Sequence, residues 1–305
     1  MAALDNTITT ADVVTALDVE MAANFDQEVN RLLEILGIFG VEVVPAGTAL
    51  YQYKVTGSLA SGTVAEGDEV PLSKYDVKKT AIGEVTIKPY RKLTTAQAIL
   101  KSGFENAVRK TDNKMVKDIR GDILADFFTF LGKGTGTSTG AGLQAALAKA
   151  DAALGDELEK NNDQSDRYIH FVNRQDIADY LANANITTQT VFGMEYLQNF
   201  LGVTDVFITS KITAGTLYVT PVENLHIYGV DFAALGAAAL SYEQQENSLI
   251  GVHHAANYAR TSAETNVLTG ANFIPEATNY IIKGTVTELA KMSVDGVAVA
   301  TSAKN

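Results

Sequence analysis

Cysteine and tryptophan do not occur in this chain of 305 residues. Without cysteine no disulfide can form, and no thiolate can hold zinc or an iron–sulfur cluster. Only four histidines are present, which leaves little material for imidazole metal sites. Positive charge is in deficit: 24 Lys and Arg stand against 36 Asp and Glu, a formal net charge of −12. That balance favours solubility and disfavours tight general binding to nucleic acid. No run of 18 apolar residues is present, so no membrane span is expected. The opening "MAALDNTITTADVV" lacks the basic start and apolar run of a secretory signal, and a cytoplasmic product is expected.

What remains is ordinary globular material. Hydrophobic residues make up 46% of the chain and charged residues 20%. The length suffices for one large domain or two modest ones with a real core.

Gln27 to Leu36 carries Val29, Leu32, Leu33 and Leu36 at helical spacing, ended by Gly37 and Gly40. This narrow apolar face needs a partner surface, and contacts with another copy are expected there. "TALYQYKVT" at 48–56 and "IGEVTIKPY" at 82–90 alternate like strands, with Pro89 pointing to an edge. Between them lies a turn-rich stretch broken by Pro71. Together these predict a long antiparallel hairpin with a charged outer part and no core of its own.

A short helix is expected over Thr95–Leu100. The longest helical signal follows, Glu105–Leu131, with Ile119, Ile123 and Phe127 on its packed face. "GKGTGTSTGAG" at 132–142 is a flexible junction. Its Lys133 comes too early for a phosphate loop, and a helix rather than a strand precedes it. A helix is predicted over Leu143–Leu158 and a strand over Tyr168–Val172. Asn173 is the expected N-cap of the next helix, with Asp176 as its box partner. Residues 203–230 read as three short strands, 231–246 as partly helical, and Ile281–Leu289 as a strand.

No catalytic, cofactor or metal residue is assigned. His253 and His254 are adjacent and point apart in any regular element, so with Glu264 they make no site. They are read as packed or surface groups, as are His170 and His226. "GDELEKNNDQSD" lacks the alternation of a calcium loop and is read as solvated. No Gly-x-Ser-x-Gly elbow is present, and no basic-aromatic interleaving suggests single-strand binding. An enzyme is not expected.

The order of these parts resembles the major capsid protein of tailed double-stranded-DNA bacteriophages, a fold also found in encapsulin shell proteins. "GDEVPLSKYDVKKTAIGEVTIKPYRKLT" is similar to that family's extended loop. "SGFENAVRKTDNKMVKDIRGDILADFFTFLG" is similar to its spine helix. "IHFVNRQDIADYL" and "GVTDVFITSKITAGTLYVTPVENLHIYGVDF" are similar to peripheral and axial segments. The resemblance implies an α+β fold divided as follows: 1–47 N-terminal arm and helix, 48–93 extended loop, 94–175 spine helix and the first part of the body, 176–272 mainly axial domain, and 273–305 returning peripheral strand and tail. It implies self-assembly through hexamers and pentamers into an icosahedral shell around double-stranded DNA, held without sequence-specific contacts. An encapsulin-like compartment is the alternative, and a soluble enzyme or binding protein the more distant one. Portal and scaffolding proteins are implied partners, the latter as a separate chain, and a decoration protein is a further one. The place would be the virion capsid, assembled in the host bacterial cytoplasm. Contacts between copies are expected at Glu66, Asp68, Glu69, Lys74, Lys78, Lys79, Lys88 and Arg91 of the hairpin, and at Val29, Leu32, Leu33 and Leu36.

Overall fold

The computed structural model describes residues 10–36, 41–183, 189–191, 194–198, 205–245 and 249–287. In chain order a helix α1 (Thr10–Leu36) leads to strands β1 (Glu42–Val43), β2 (Ala49–Ser58), β3 (Lys74–Glu84) and β4 (Lys88–Thr95). A short helix α2 (Ala96–Ser102) and a π-turn (Glu105–Arg109) precede the long helix α3 (Lys110–Leu131). Then come β5 (Gly136–Ala141), α4 (Leu143–Lys160), β6 (Tyr168–Asn173), α5 (Arg174–Asn183), β7 (Gln189–Val191), β8 (Met194–Gln198) and β9 (Asp205–Thr209). The last strands are β10 (Thr216–Pro221), β11 (Leu225–Gly229), β12 (Ile250–Asn257), β13 (Ser262–Thr269), β14 (Asn272–Pro275) and β15 (Ile282–Thr287).

The centre is a seven-stranded mixed sheet in the order β5-β15-β10-β6-β9-β8-β7. Strand alternation decides which helix covers which face. Ile169, Phe171, Phe207 and Tyr218 point to one side, where they meet Ile119, Ile123, Phe127 and Phe128 of α3. Val172, Val206, Ile208, Leu217 and Val219 point to the other, onto Leu143, Leu147, Leu154 and Leu158 of α4. Because both faces are covered, β9 and β10 are almost wholly buried and read as near-continuous apolar runs. Phe127 and Phe128 both stand edge-on to Phe171, at 5.3 and 5.6 Å between ring centres. Such geometry adds about 0.5–1.5 kcal/mol per pair beyond area burial.

Two smaller sheets complete the body: β12-β13-β4, and β1-β11-β14. α1 packs on β12 and beside α3 with Met21, Ala22, Phe25, Val29 and Leu32 buried. The fourth sheet is a two-stranded ribbon, β2 paired antiparallel with β3.

Several elements differ from the sequence expectation. The helix expected at Gln27–Leu36 begins at Thr10, because Met21, Ala22 and Phe25 continue its buried stripe toward the N-terminus. The second ribbon strand is Lys74–Glu84, whereas the "TIKPY" stretch feeds β4, whose partner is β13. Pro89 does lie on an edge strand, that of the β12-β13-β4 sheet. The glycine-rich junction contains β5, an edge strand parallel to β15. Its small residues have a steric reason: a Cβ at Gly140 would run into the backbone of Ala145 and Ala146, and one at Gly136 into Ile282. The strands of 203–230 divide between sheets, β9 and β10 flanking β6 in the central one and β11 joining β14. Sequence had set β6 apart from them. After Phe232 only a 3-10 turn forms, Ala233–Ala238. Asn173 does cap α5, accepting from the Gln175 N–H at 2.7 Å. Asp176 does not close a capping box; both its oxygens accept from the Gly215 N–H at 2.9 Å and pin the β9–β10 turn.

Candidate assembly interface

The ribbon is anchored at its root and largely exposed beyond it. At the root Val85 is buried with Val230 and Phe232. Its N–H donates to the Thr48 carbonyl at 3.0 Å, and its carbonyl accepts from Gly47 at 2.8 Å. Gln52 donates to the Asn279 side chain at 2.7 Å and accepts from the Thr278 hydroxyl at 3.2 Å. Lys133 donates to the Ile82 carbonyl at 3.2 Å. These ties fix the direction in which the strands leave the body. A strand of ten residues extends roughly 33 Å.

Directly paired residues of an antiparallel ribbon share a face. The register Tyr51–Ala81, Tyr53–Lys79, Val55–Val77 and Gly57–Tyr75 therefore gathers an aromatic and aliphatic face. The register Gln52–Thr80, Lys54–Lys78, Thr56–Asp76 and Ser58–Lys74 gathers a polar, net basic one. Among the described residues the apolar face is largely open: Tyr53, Val55, Tyr75 and Val77 are 60, 56, 53 and 63% exposed, and Tyr53 and Val55 border a cleft with Leu158 and Tyr280. Near the tip Leu72 is 94% exposed. Lys79 lies 3.7 Å from the Tyr51 ring centre, so its cation rests on the aromatic part of this face. An exposed apolar strip on an open two-stranded edge is the kind of surface at which chains pair.

The predicted contact residues fall into distinct settings. Glu66, Asp68 and Glu69 sit in the exposed tip, where the Asp68 N–H donates to Ala65 at 3.1 Å. Lys74 and Lys78 project from the basic face; Lys74 is 3.4 Å from Asp76, and both are well exposed. Lys79 is on the apolar face. Lys88 and Arg91 are not on the ribbon. They belong to β4, where Lys88 pairs with Asp126 of α3 and Arg91 with Glu264 of β13. The Arg91 guanidinium, aided by Asn257, holds the Glu264 carboxyl down to about 2. Val29 and Leu32 are buried in the chain's own core. Leu33 and Leu36 lie outside the residues whose side chains are described. Ile119, Ile123 and Phe127 are buried beneath the central sheet and β14.

The apolar face is the feature that charge-centred reading passed over. Its signal was present in "YQYKVT", whose period of two alternates Tyr51, Tyr53 and Val55 with Gln52, Lys54 and Thr56.

Among the described residues no group of three His, Asp or Glu side chains is arranged to hold a metal ion, and no helix is long and apolar enough to cross a membrane. His170 is packed between Asp151 of α4, at 2.6 Å, and the Asp205 carbonyl, at 3.1 Å.

No protein-family model and no curated protein matches the sequence. Solved structures do. The SrpI encapsulin of Synechococcus elongatus PCC 7942 aligns with 84% of this chain and 88% of its own, at 11% identity and a TM-score of 0.51. The capsid of a native GTA particle aligns over 84% and 90%, at 11% identity and a TM-score of 0.50. The chain has the fold shared by encapsulin and capsid shell proteins. The procapsid of satellite phage P4 aligns over 94% of both chains at 14% identity, with a TM-score of 0.46.

Proposed function

We propose that this chain is a non-enzymatic structural subunit that assembles with many copies of itself into a closed shell. The observation that carries this reading is the unpartnered apolar face of the β2–β3 ribbon, on a fold shared with shell proteins. The body buries its hydrophobic residues on both sides of the central sheet, whereas Tyr53, Val55, Tyr75 and Val77 remain more than half exposed among the described residues. Taking a Val-sized side chain fully out of water contributes about 1.5–3 kcal/mol. Several together on a neighbouring copy hold a repeated contact. The basic face, with Lys54, Lys74 and Lys78, and the acidic tip, with Glu66, Asp68 and Glu69, set register more than affinity.

In the fuller form of this reading the shell is a viral capsid. Hexamers and pentamers close into an icosahedron around double-stranded DNA, and the acidic chain lets that DNA pack without sequence-specific grip. Portal, scaffolding and decoration proteins are its expected partners, and the host bacterial cytoplasm is the place of assembly. Residues 1–47 are the arm, 48–93 the extended loop, 94–175 the spine helix with the first part of the body, 176–272 mainly the axial domain and 273–305 the returning strand and tail. The likeness to an encapsulin supports a second reading, a compartment shell around a protein cargo.

Electron microscopy of the purified protein, followed by nuclease treatment and extraction of the particles, tests both levels. Closed shells are the expected result, and nuclease-protected double-stranded DNA within native particles supports the capsid form. Shells holding protein cargo and no DNA favour the compartment. A chain that stays monomeric at high concentration overturns the proposal.

A further inference from the structure

The interface between α1 and the body contains a buried row of charges. Asp18 of α1, His254 of β12 and Asp112 of α3 are each almost fully buried. His254 Nδ1 meets the Asp18 carboxylate, and Nε2 lies 3.2 Å from Asp112 Oδ2. Asp112 also takes the ammonium of Lys92 from β4 and the hydroxyl of Thr265 from β13, the latter at 3.0 Å. Lys92 is completed by the Thr111 hydroxyl at 2.6 Å and the Val108 carbonyl at 3.2 Å.

The geometry fixes the protonation of the ring. Ionised carboxylates only accept hydrogen bonds. With one on each ring nitrogen, both nitrogens must carry a proton, so His254 is an imidazolium. The row then reads Asp18⁻, His254⁺, Asp112⁻, Lys92⁺, and its charges cancel. The two carboxylates lie on opposite sides of the ring and share no point at which a metal ion could sit.

We propose that His254 is the charged pin of a latch that holds α1 on the body, and that removing its proton, or protonating its partner Asp112, releases α1 while the central sheet stays folded. Two features single out α1 as the moving part. Asp18 is a buried polar tie beside the apolar stripe Met21, Phe25, Val29 and Leu32, and two ion pairs lie at the rim: Glu20 to Arg109 at 2.6 Å, and Glu28 to Arg120. In these three ties α1 supplies the anion and the body the cation. A narrow cleft between α1 and α3, lined by Leu17, Glu20, Arg109 and Asn113, reaches Asp112 and His254 and gives the proton a route to solvent.

The signs are consistent on both sides. Burial alone would lower the His254 pKa, but its hydrogen bonds to Asp112 and Asp18 outweigh that and raise it to about 9. Its contribution is complete below the ordinary histidine range and is lost as pH rises through about 9. Burial alone would raise Asp112, but the hydrogen bonds from His254 and Lys92 hold it below its ordinary value. Its contribution is present above the ordinary carboxylate range and is lost as pH falls through the depressed value. The latch is closed between these limits. Glu264, next to Thr265 on β13, pairs with Arg91, and His253 lies on the opposite face of β12; neither faces the ring.

The test is hydrogen exchange on the full chain at pH 7 and pH 10, corrected for intrinsic rates, beside nitrogen NMR of the imidazoles. With four histidines in the chain, the His254 signals are assigned by their loss in His254→Gln. The expected result is a His254 doubly protonated at pH 7, and α1 amides whose protection falls about a hundredfold by pH 10 while β6 and β10 keep theirs. His254→Gln removes the alkaline fall. Should that variant fail to fold, Asp18→Asn serves instead, with the His254 midpoint moved down by at least about one pH unit. A neutral His254 at pH 7 overturns the proposal, as does α1 protection equal at the two pH values, or lost together with that of β6. None of these readouts depends on shell formation.

Discussion

The β2–β3 ribbon and the central sheet are made of similar sequence and end in opposite states. "YQYKVT" in β2 and "TLYVTP" in β10 both carry aromatic and β-branched residues suited to a pleated surface. In β10, Leu217 and Val219 meet α4 while Tyr218 meets the α3 side, so neither face sees water. In β2, Tyr53 and Val55 stay more than half exposed and border an open cleft with Leu158 and Tyr280. Strand-forming residues specify the pairing in both cases. What differs is whether a helix is available to cover the result. The body carries its own cover in α1, α3 and α4, and the ribbon leaves its cover to a partner.

The comparison is broken most severely from the body side. Phe127→Ala removes a ring wedged among Phe128, Phe171 and Phe273. We expect a loss of about 3–5 kcal/mol in denaturant unfolding. A loss below about 1 kcal/mol would mean that α3 does not organise the core as described. A smaller effect is expected at the start of α5. Asn173→Ala removes the cap on Gln175 and the side-chain bond to the Ile212 carbonyl, and a cost of about 0.5–2 kcal/mol should appear in the same experiment.

Gly121 sharpens the contrast in the other direction. Nothing among the described residues would meet a Cβ there, so no packing contact in the described structure calls for glycine in mid-helix. Gly121→Ala should stabilise the isolated chain by up to about 1 kcal/mol. If the substituted chain melts higher but assembles poorly, the open space beside Gly121 is occupied by a neighbouring copy. The smallest change is expected for Val77→Thr in the isolated subunit, within about 0.5 kcal/mol, because the side chain is exposed there. A destabilisation of several kcal/mol would show that the ribbon folds back on its own body.

Legibility in the sequence followed how local each signal was. α3 and α4 were readable because their apolar residues repeat at helical spacing over many turns, and β6 because Ile169, Phe171 and Val172 make a short, largely apolar run. Asn173 was readable as a cap from its place between strand and helix. The glycine-rich 132–142 stretch was not readable as containing a strand. Its reason for glycine is the approach of α4 and β15, and such distant neighbours leave no mark on local composition. Asp176 was misread for the same cause, since its partner Gly215 lies 39 positions away. The first half of α1 escaped notice because its stripe is mostly small or interrupted, with Ala22 and Asp18 at buried positions. Of the ribbon, the exposed charged tip was legible and the apolar face was under-read, since attention to charge hid the alternation of tyrosine and valine.

The claim that matters most is that the exposed face of the ribbon is an assembly surface. Sedimentation velocity of the native chain beside the fourfold variant Tyr53→Ser, Val55→Thr, Tyr75→Ser and Val77→Thr tests it most directly. The account predicts fast-sedimenting shells for the native chain. For the variant it predicts slow-sedimenting subunits or small capsomers with an unchanged thermal unfolding transition. Normal shells from the variant, or native subunits that never associate, would contradict it.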